Sequence, residues 1–318
     1  PDSVIRILED SDYGVDMAES LARHSRSQAV EEAISRNLVR SYRKMLSFAT
    51  GPARDLLDTL LGKWDIYNIK TILRGIHSGS GPNRILENIV PAGRLEGASL
   101  EELANQPEVK ALADMLATWN IDYFQPISGN LKRYIRERDL ARLEYELDSF
   151  YFQTSLGRLK KRDSNRQQIQ SVIETEIDII NVMTTLRLVS QGLGIEKGGT
   201  LFLTHGALDL KFLLDLLKCE SPIDILERLE RTRYAYAVEK SILLVGETGD
   251  ISIIERFLEE ILIRKCVKMF YRGDPLGISI AIGYIWLKYN EFINIRLIAR
   301  GLAFGMPVNA IRQELVFV

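Results

Sequence analysis

The stretch Trp64 to Gly75, WDIYNIKTILRG, recurs in altered form as DIINVMTTLR at 178–187 and EFINIRLIARG at 291–301. Each copy carries an acid, an Asn three residues on and an Arg six residues after that. The three sets are Asp65, Asn68, Arg74; Asp178, Asn181, Arg187; and Glu291, Asn294, Arg300. Both intervals between successive Asn residues are 113 positions. A pattern that returns twice at one long interval makes the chain a triplicated unit, and this constrains the fold more than any local propensity. Segments 1–107, 108–220 and 221–318 are therefore expected to be three repeats, the first without its N-terminal part.

Apolar spacing is helical nearly throughout. Leu38, Met45, Leu56, Leu57, Leu60 and Leu61 recur at steps of three, four and seven within their segments, which puts them on one helix face. The expected fold is all-α, with about five or six helices in each unit of about 113 residues. Gly51-Pro52 separates two helices. Asp65 is placed near a helix N-terminus, with Gly75 as the C-cap and loops at 77–83 and 91–95. The second unit repeats the order: an amphipathic helix over 143–159, a basic loop at 160–165, the motif helix, and a Gly-rich loop to Thr200. HGAL at 205–208 matches AGRL at 92–95, with Gly206 again 113 positions after Gly93. In the third unit Ile254, Glu255, Leu258 and Glu259 parallel Leu143, Glu144, Leu147 and Asp148. Tyr13, Tyr123 and Tyr234 are a weaker echo. Residues 201–210 read equally as a strand or as a loop followed by a helix.

Charge and composition exclude several classes. A formal net charge of −2 gives no global drive toward nucleic acid or anionic lipid. The longest weakly polar run, Leu276 to Leu287, falls short of the roughly 18–20 residues that span a bilayer, so it reads as a buried core helix. Cys219 and Cys266 have no Cys or His at ligand spacing, and read as reduced thiols of an intracellular protein. The chain opens PDSVIRILED without an initiator Met and is read as a trimmed polypeptide.

Catalytic traces are missing from the pattern. GLGIEKGGT at 192–200 and GETGD at 246–250 lack the Lys-Ser/Thr pair of a phosphate loop and read as inter-helix turns. His24, His77 and His205 lie far apart, and no His-Glu-x-x-His or Gly-x-Ser-x-Gly occurs. The expectation is a non-enzymatic protein with no catalytic, cofactor-binding or metal-binding residues. The acid and Asn of each motif share a helix face. They are read as scaffold contacts that fix helix register, with Arg74, Arg187 and Arg300 pairing acids on adjacent helices.

WDIYNIKTILRG, ETEIDIINVMTTLR and the stretch from Tyr284 to Leu315 resemble the helices of the C subunit of archaeal and bacterial A/V-type ATPases (ATP synthases), equivalent to the d subunit of the eukaryotic vacuolar ATPase. The most specific part is Tyr284 and Lys288 followed by Glu291, Asn294, Arg296, Arg300, Gly305 and Pro307. The resemblance implies three pseudo-threefold helical subdomains forming a funnel. It implies a central-stalk rotor protein on the cytoplasmic face of the membrane, peripheral and without catalysis, joining the central axle subunits to the proteolipid ring. No nucleic acid and no membrane span are expected. Axle contacts are expected among 77–83, 192–200 and 301–307. The alternative is a free-standing helical scaffold that binds a helical peptide.

Overall fold

The computed structural model describes residues 2–160, 163–193 and 200–318. They form sixteen helices and no strand. Six are long. They are α1 (Arg26–Phe48), α2 (Gly51–Ser78), α3 (Leu140–Arg158), α4 (Ser164–Ser190), α5 (Ser252–Arg272) and α6 (Ser279–Ala303). They follow one another as three successive pairs, and the motif lies on the second member of each: α2, α4 and α6. Shorter helices fill the intervals.

The helix boundaries follow from local chemistry. Asp139 and Asp163 cap α3 and α4, each side chain accepting from the backbone N–H three residues on, Arg142 and Arg166. Ser221 and Asp224 form a reciprocal capping box at the helix Pro222–Leu229. Gly79 and Gly249 adopt the left-handed conformation just past the ends of α2 and the helix Ala235–Thr248.

Three local expectations are corrected. Asp65 is not near an N-terminus: α2 starts at Gly51 and runs unbroken, because Leu56, Leu57, Leu60, Leu61 and Trp64 carry one buried face through the middle. Gly75 is not a cap. It lies inside α2, where Ile85 occupies the space a Cβ would need, so the glycine serves close packing and the helix continues to Ser78. Leu276 is not core: it is 96% exposed in the turn before α6, whose buried face begins at Ser279. Residues 201–209 form a loop, and a helix follows at Leu210–Leu216. Most of the Gly-rich loop to Thr200 lies outside the described residues, as do positions 161 and 162 of the basic loop.

The chain divides into two compact units, Pro1–Leu57 with Ile263–Val318, and Asp58–Leu262. In the first, α6 and the helix Gly14–Leu21 pack on α1. Gly283 lets α6 approach Phe270 and the Cys266 carbonyl of α5 so closely that a Cβ would collide. Tyr42, 1% exposed, donates its hydroxyl to the Ile285 carbonyl at 2.8 Å and ties α1 to α6. In the second unit, α3 packs on the helix Phe124–Glu137, and α4 packs on α3, Leu210–Leu216 and Pro222–Leu229. Its core is built from side chains such as Ile69, Ile72, Leu147, Val172, Ile173 and Leu186, each almost or fully excluded from solvent.

Candidate functional site: the repeated acid, asparagine and arginine

Each motif Asn acts as a peptide surrogate. Asn68 donates Nδ2–H to the Val90 carbonyl at 2.7 Å and accepts from the Val90 N–H at 2.9 Å. Asn181 does the same with Leu203, at 2.9 and 2.8 Å. Asn294 does it with Val316, at 2.8 and 3.1 Å. In every copy the partner is 22 residues on and sits in non-helical backbone. Both polar groups of one residue's backbone are thereby satisfied at a place where a segment crosses a helix and, among the described residues, no strand is present to pair it. In the third copy Asn290 adds a bond of 3.0 Å to the same Val316 carbonyl.

Two of the acids hold the same loops a few residues further along. Asp65 Oδ1 accepts from the Leu95 N–H at 2.9 Å, and Asp178 Oδ1 from the Leu208 N–H at 2.8 Å, 30 residues on in each case. Gly93 and Gly206 explain the matching AGRL and HGAL turns: a Cβ at either would stand on the Asp65 or Asp178 Oδ1. Both acids are fully buried. Burial pushes Asp65 up to about 6, against the lowering effect of the Leu95 and Arg94 N–H groups. It pushes Asp178 up as well, against the Leu208 N–H and the Tyr234 hydroxyl.

The tyrosine echo belongs to the same clusters. Tyr234 donates its hydroxyl to Asp178 Oδ2 at 2.7 Å. Tyr13 accepts from the Lys288 ammonium at 3.2 Å, and burial followed by the Glu291 charge drives its phenol well above the ordinary range. Lys288 also reaches Glu291, at 2.8 Å, while lying over the Tyr13 ring. The first copy departs from this scheme. Tyr123 lies near enough to feel the Asp65 charge. Yet among the described residues Asp65 Oδ2 has no hydrogen-bond partner, and it is sealed from solvent even though Asp65 stands among the residues around a cavity of about 200 Å³.

The arginines point outward and pair with the first long helix of another pair. Arg74 forks onto Glu144 of α3 at 2.6 and 2.7 Å. Arg187 takes Glu255 of α5 at 3.1 Å to both oxygens. Arg300 forks onto Glu31 of α1 at 2.6 Å to both oxygens. Burial pushes the Glu31 carboxyl up, but the Arg300 hydrogen bond and the charges of Arg296 and Arg300 outweigh it and hold the group below its usual value. In each copy the Asn holds a loop while the Arg turns to a neighbouring helix, and the three copies are not brought together into one site. Among the described residues no group of three or more His, Cys, Asp or Glu is placed to hold a metal ion, and no helix is long and apolar enough to cross a membrane. Sequence reasoning missed the partners Val90, Leu203 and Val316, and the cavity. The constant offset of 22 residues was available as a signal for the first of these.

Comparison with known proteins agrees with the resemblance carried by the motif helices. The profile of the ATP synthase (C/AC39) subunit family matches residues 1–314. The chain is similar to the A-type ATP synthase C subunit of Methanococcoides burtonii, 31% identical over 99% of this chain and 86% of the relative. It is likewise similar to the A-type ATP synthase C subunit of Methanosarcina acetivorans, at 30% over 100% and 85%, and to that of Haloquadratum walsbyi, at 26% over 99% and 89%.

Proposed function

The chain belongs to the ATP synthase (C/AC39) subunit family, and on that premise we propose that it is a non-catalytic central-stalk subunit of an A-type ATP synthase. It acts as a socket, receiving the axle subunits on one side and resting on the membrane proteolipid ring on the other, peripheral to the cytoplasmic face. The three repeats, 1–107, 108–220 and 221–318, are the three wedges of that funnel.

The observation that carries the reading is the partner choice of the repeated arginines. Arg74 takes the second pair's Glu144, Arg187 the third pair's Glu255, and Arg300 returns to Glu31 of the first. The order is cyclic and leaves no repeat without a partner. A coupling body must transmit torque without yielding, and close-packed helices strain rather than flow. The buried Asn and Asp contacts fix the loops between helices in the same sense, so the motif supports stiffness instead of a reaction.

The test is purification of the assembled complex and its deletion counterpart. The chain is expected to co-purify with axle subunits and proteolipids, and its deletion to leave ATP hydrolysis uncoupled from ion movement. Ion pumping that stays coupled without it would refute the socket. Recovery with a soluble helical peptide and no proteolipid would favour the free-standing scaffold instead.

A further inference from the structure

Two turns lie side by side at one end of the unit formed by Pro1–Leu57 and Ile263–Val318. Tyr42 of α1 bonds Ile285 of α6, and Arg300 of α6 bonds Glu31 of α1. The two helices therefore run antiparallel, and the end of α1 is level with the start of α6. The end of α5 is there too, because a Cβ on Gly273 would collide with Ser279. The turn from α1 to α2 and the turn from α5 to α6 thus share one tip.

Three large apolar side chains stand out from that tip. Phe48 is 76% exposed, Tyr271 71% and Leu276 96%. Both turns are tied, so the exposure is built in. The Asp274 carboxylate accepts from the Leu276 N–H at 2.9 Å, and the Asp274 carbonyl takes the Gly277 N–H and the Ser279 hydroxyl. At the other turn Arg54 donates to the Leu46 carbonyl at 2.7 Å. Large apolar groups held in water carry a free-energy cost that burial against a partner removes.

The charges beside them identify the partner. Arg43 and Lys44 stand about one helical turn before Phe48, and Lys268 and Arg272 stand on either side of Tyr271. All four are exposed and in no ion pair among the described residues. The acids of the two turns are Asp55 and Asp274, and Asp274 is engaged by Leu276. A chain of net charge −2 therefore gathers cations at this tip. The other end of α6 makes the contrast: Phe304 and Val308 are exposed there, but Arg300 is taken by Glu31. A nucleic acid would use the cations and leave Phe48 and Leu276 in water. A protein would have to place carboxylates to match four separate cations, whereas lipid headgroups rearrange to meet them. An anionic lipid surface takes both sets, with phosphates for the cations and the headgroup boundary for the rings and the leucine.

We infer that this tip rests on an anionic lipid surface. Phe48, Tyr271 and Leu276 enter the headgroup boundary, and Arg43, Lys44, Lys268 and Arg272 meet lipid phosphates. The contact is interfacial and needs no spanning helix. It is independent of the socket, because one unit of the free chain carries the whole tip.

The test is flotation of the full chain with phosphatidylcholine vesicles carrying about 30 mol% phosphatidylglycerol, against phosphatidylcholine alone. Binding is expected to be about tenfold or more stronger with the anionic vesicles, and to weaken by about tenfold in about 0.5 M salt. Lys44→Gln with Lys268→Gln should cost about fivefold for each cation. Lys110→Gln with Lys132→Gln makes the same change in net charge at two other exposed positions and should leave binding as it was. Phe48→Ser with Leu276→Ser, at exposed positions that do not threaten folding, should weaken it by about tenfold or more. Phe48→Trp should gain fluorescence that brominated lipid quenches. Phe304→Trp, at the other end of the 25-residue α6 and so about 37 Å away, should not. The proposal is overturned if anionic vesicles at about 1 mM lipid recover no more chain than neutral ones. It is equally overturned if the two lysine pairs act alike, or if Phe304→Trp is quenched as strongly as Phe48→Trp. A tip that ignores vesicles, while its variants lose the proteolipids in detergent, belongs to a protein interface and overturns it too. None of these outcomes requires coupling to fail in the assembled complex, so the lipid contact and the socket stand or fall separately.

Discussion

Replacing Gly93 by alanine tests the acid-and-loop contact most directly. The added Cβ would stand on Asp65 Oδ1, 2.7 Å from the carboxyl carbon and 3.0 Å from the Asp65 backbone nitrogen. The backbone of α2 cannot yield, so the loop must lift. Lifting breaks the 2.9 Å bond from the Leu95 N–H to Asp65. A hydrogen bond to a charged group contributes about 1.5–3 kcal/mol, and forced overpacking costs about 1–3 kcal/mol. The expected destabilisation is therefore about 3–5 kcal/mol in urea unfolding followed by circular dichroism. Gly206→Ala should behave alike, since its Cβ would meet Asp178 in the same way. Gly129→Ala is the control: it lies inside the helix Phe124–Glu137 with nothing within 4 Å of the added atom. That change should stabilise by about 0.5–1 kcal/mol. One chemical change then has opposite signs at two positions. Combining Gly93→Ala with Asp65→Ala removes the collision, so the two costs should fall short of additive by more than about 1 kcal/mol. A Gly93→Ala cost under about 0.5 kcal/mol, or strict additivity, would refute the reasoning.

Asp65 should also make stability pH-dependent. Its folded value, about 6, lies above the ordinary 3.8, so the folded chain prefers the protonated acid. This contribution is fully present below the unfolded value and is lost as pH rises through about 6, amounting to about 3 kcal/mol. Asp65→Asn should erase that slope between about pH 4 and pH 7 in denaturant titrations. A double-mutant cycle of Arg300→Gln with Glu31→Gln should give a coupling of about 0.5–1 kcal/mol that shrinks in about 1 M salt, because the Arg300 side chain is 46% exposed. The cycle of Arg187 with Glu255 should couple less, both side chains being more exposed and the bonds longer. Asn294→Ala leaves both peptide groups of Val316 without this partner, and should cost about 2 kcal/mol while speeding carboxypeptidase removal of the tail.

The all-α class was legible because apolar spacing is a local property, as in the run Leu56, Leu57, Leu60, Leu61 and Trp64 of α2, all of them buried. Helix ends were less legible. Gly75 looks like a stop, and only Ile85, brought from beyond the next turn, shows why glycine is needed there. Asp65 looks like an N-terminal acid, and its partner 30 residues away is a tertiary fact. The roles of Asn68, Asn181 and Asn294 depend on backbone at Val90, Leu203 and Val316, whose side chains carry no message. The cavity was invisible for a related reason. It follows from the combination of Gly62 with the position of Tyr123, and neither residue alone departs from an ordinary helical sequence.

The Asn clasps also bear on how the chain opens. Val90, Leu203 and Val316 are amides in irregular backbone, where protons usually exchange with solvent quickly. Each is held by an amide anchored on a long helix. Three slow protons should therefore stand out as islands in fast-exchanging stretches. The order in which deuterium enters them would time the separate release of the three copies, giving a built-in clock for local unfolding.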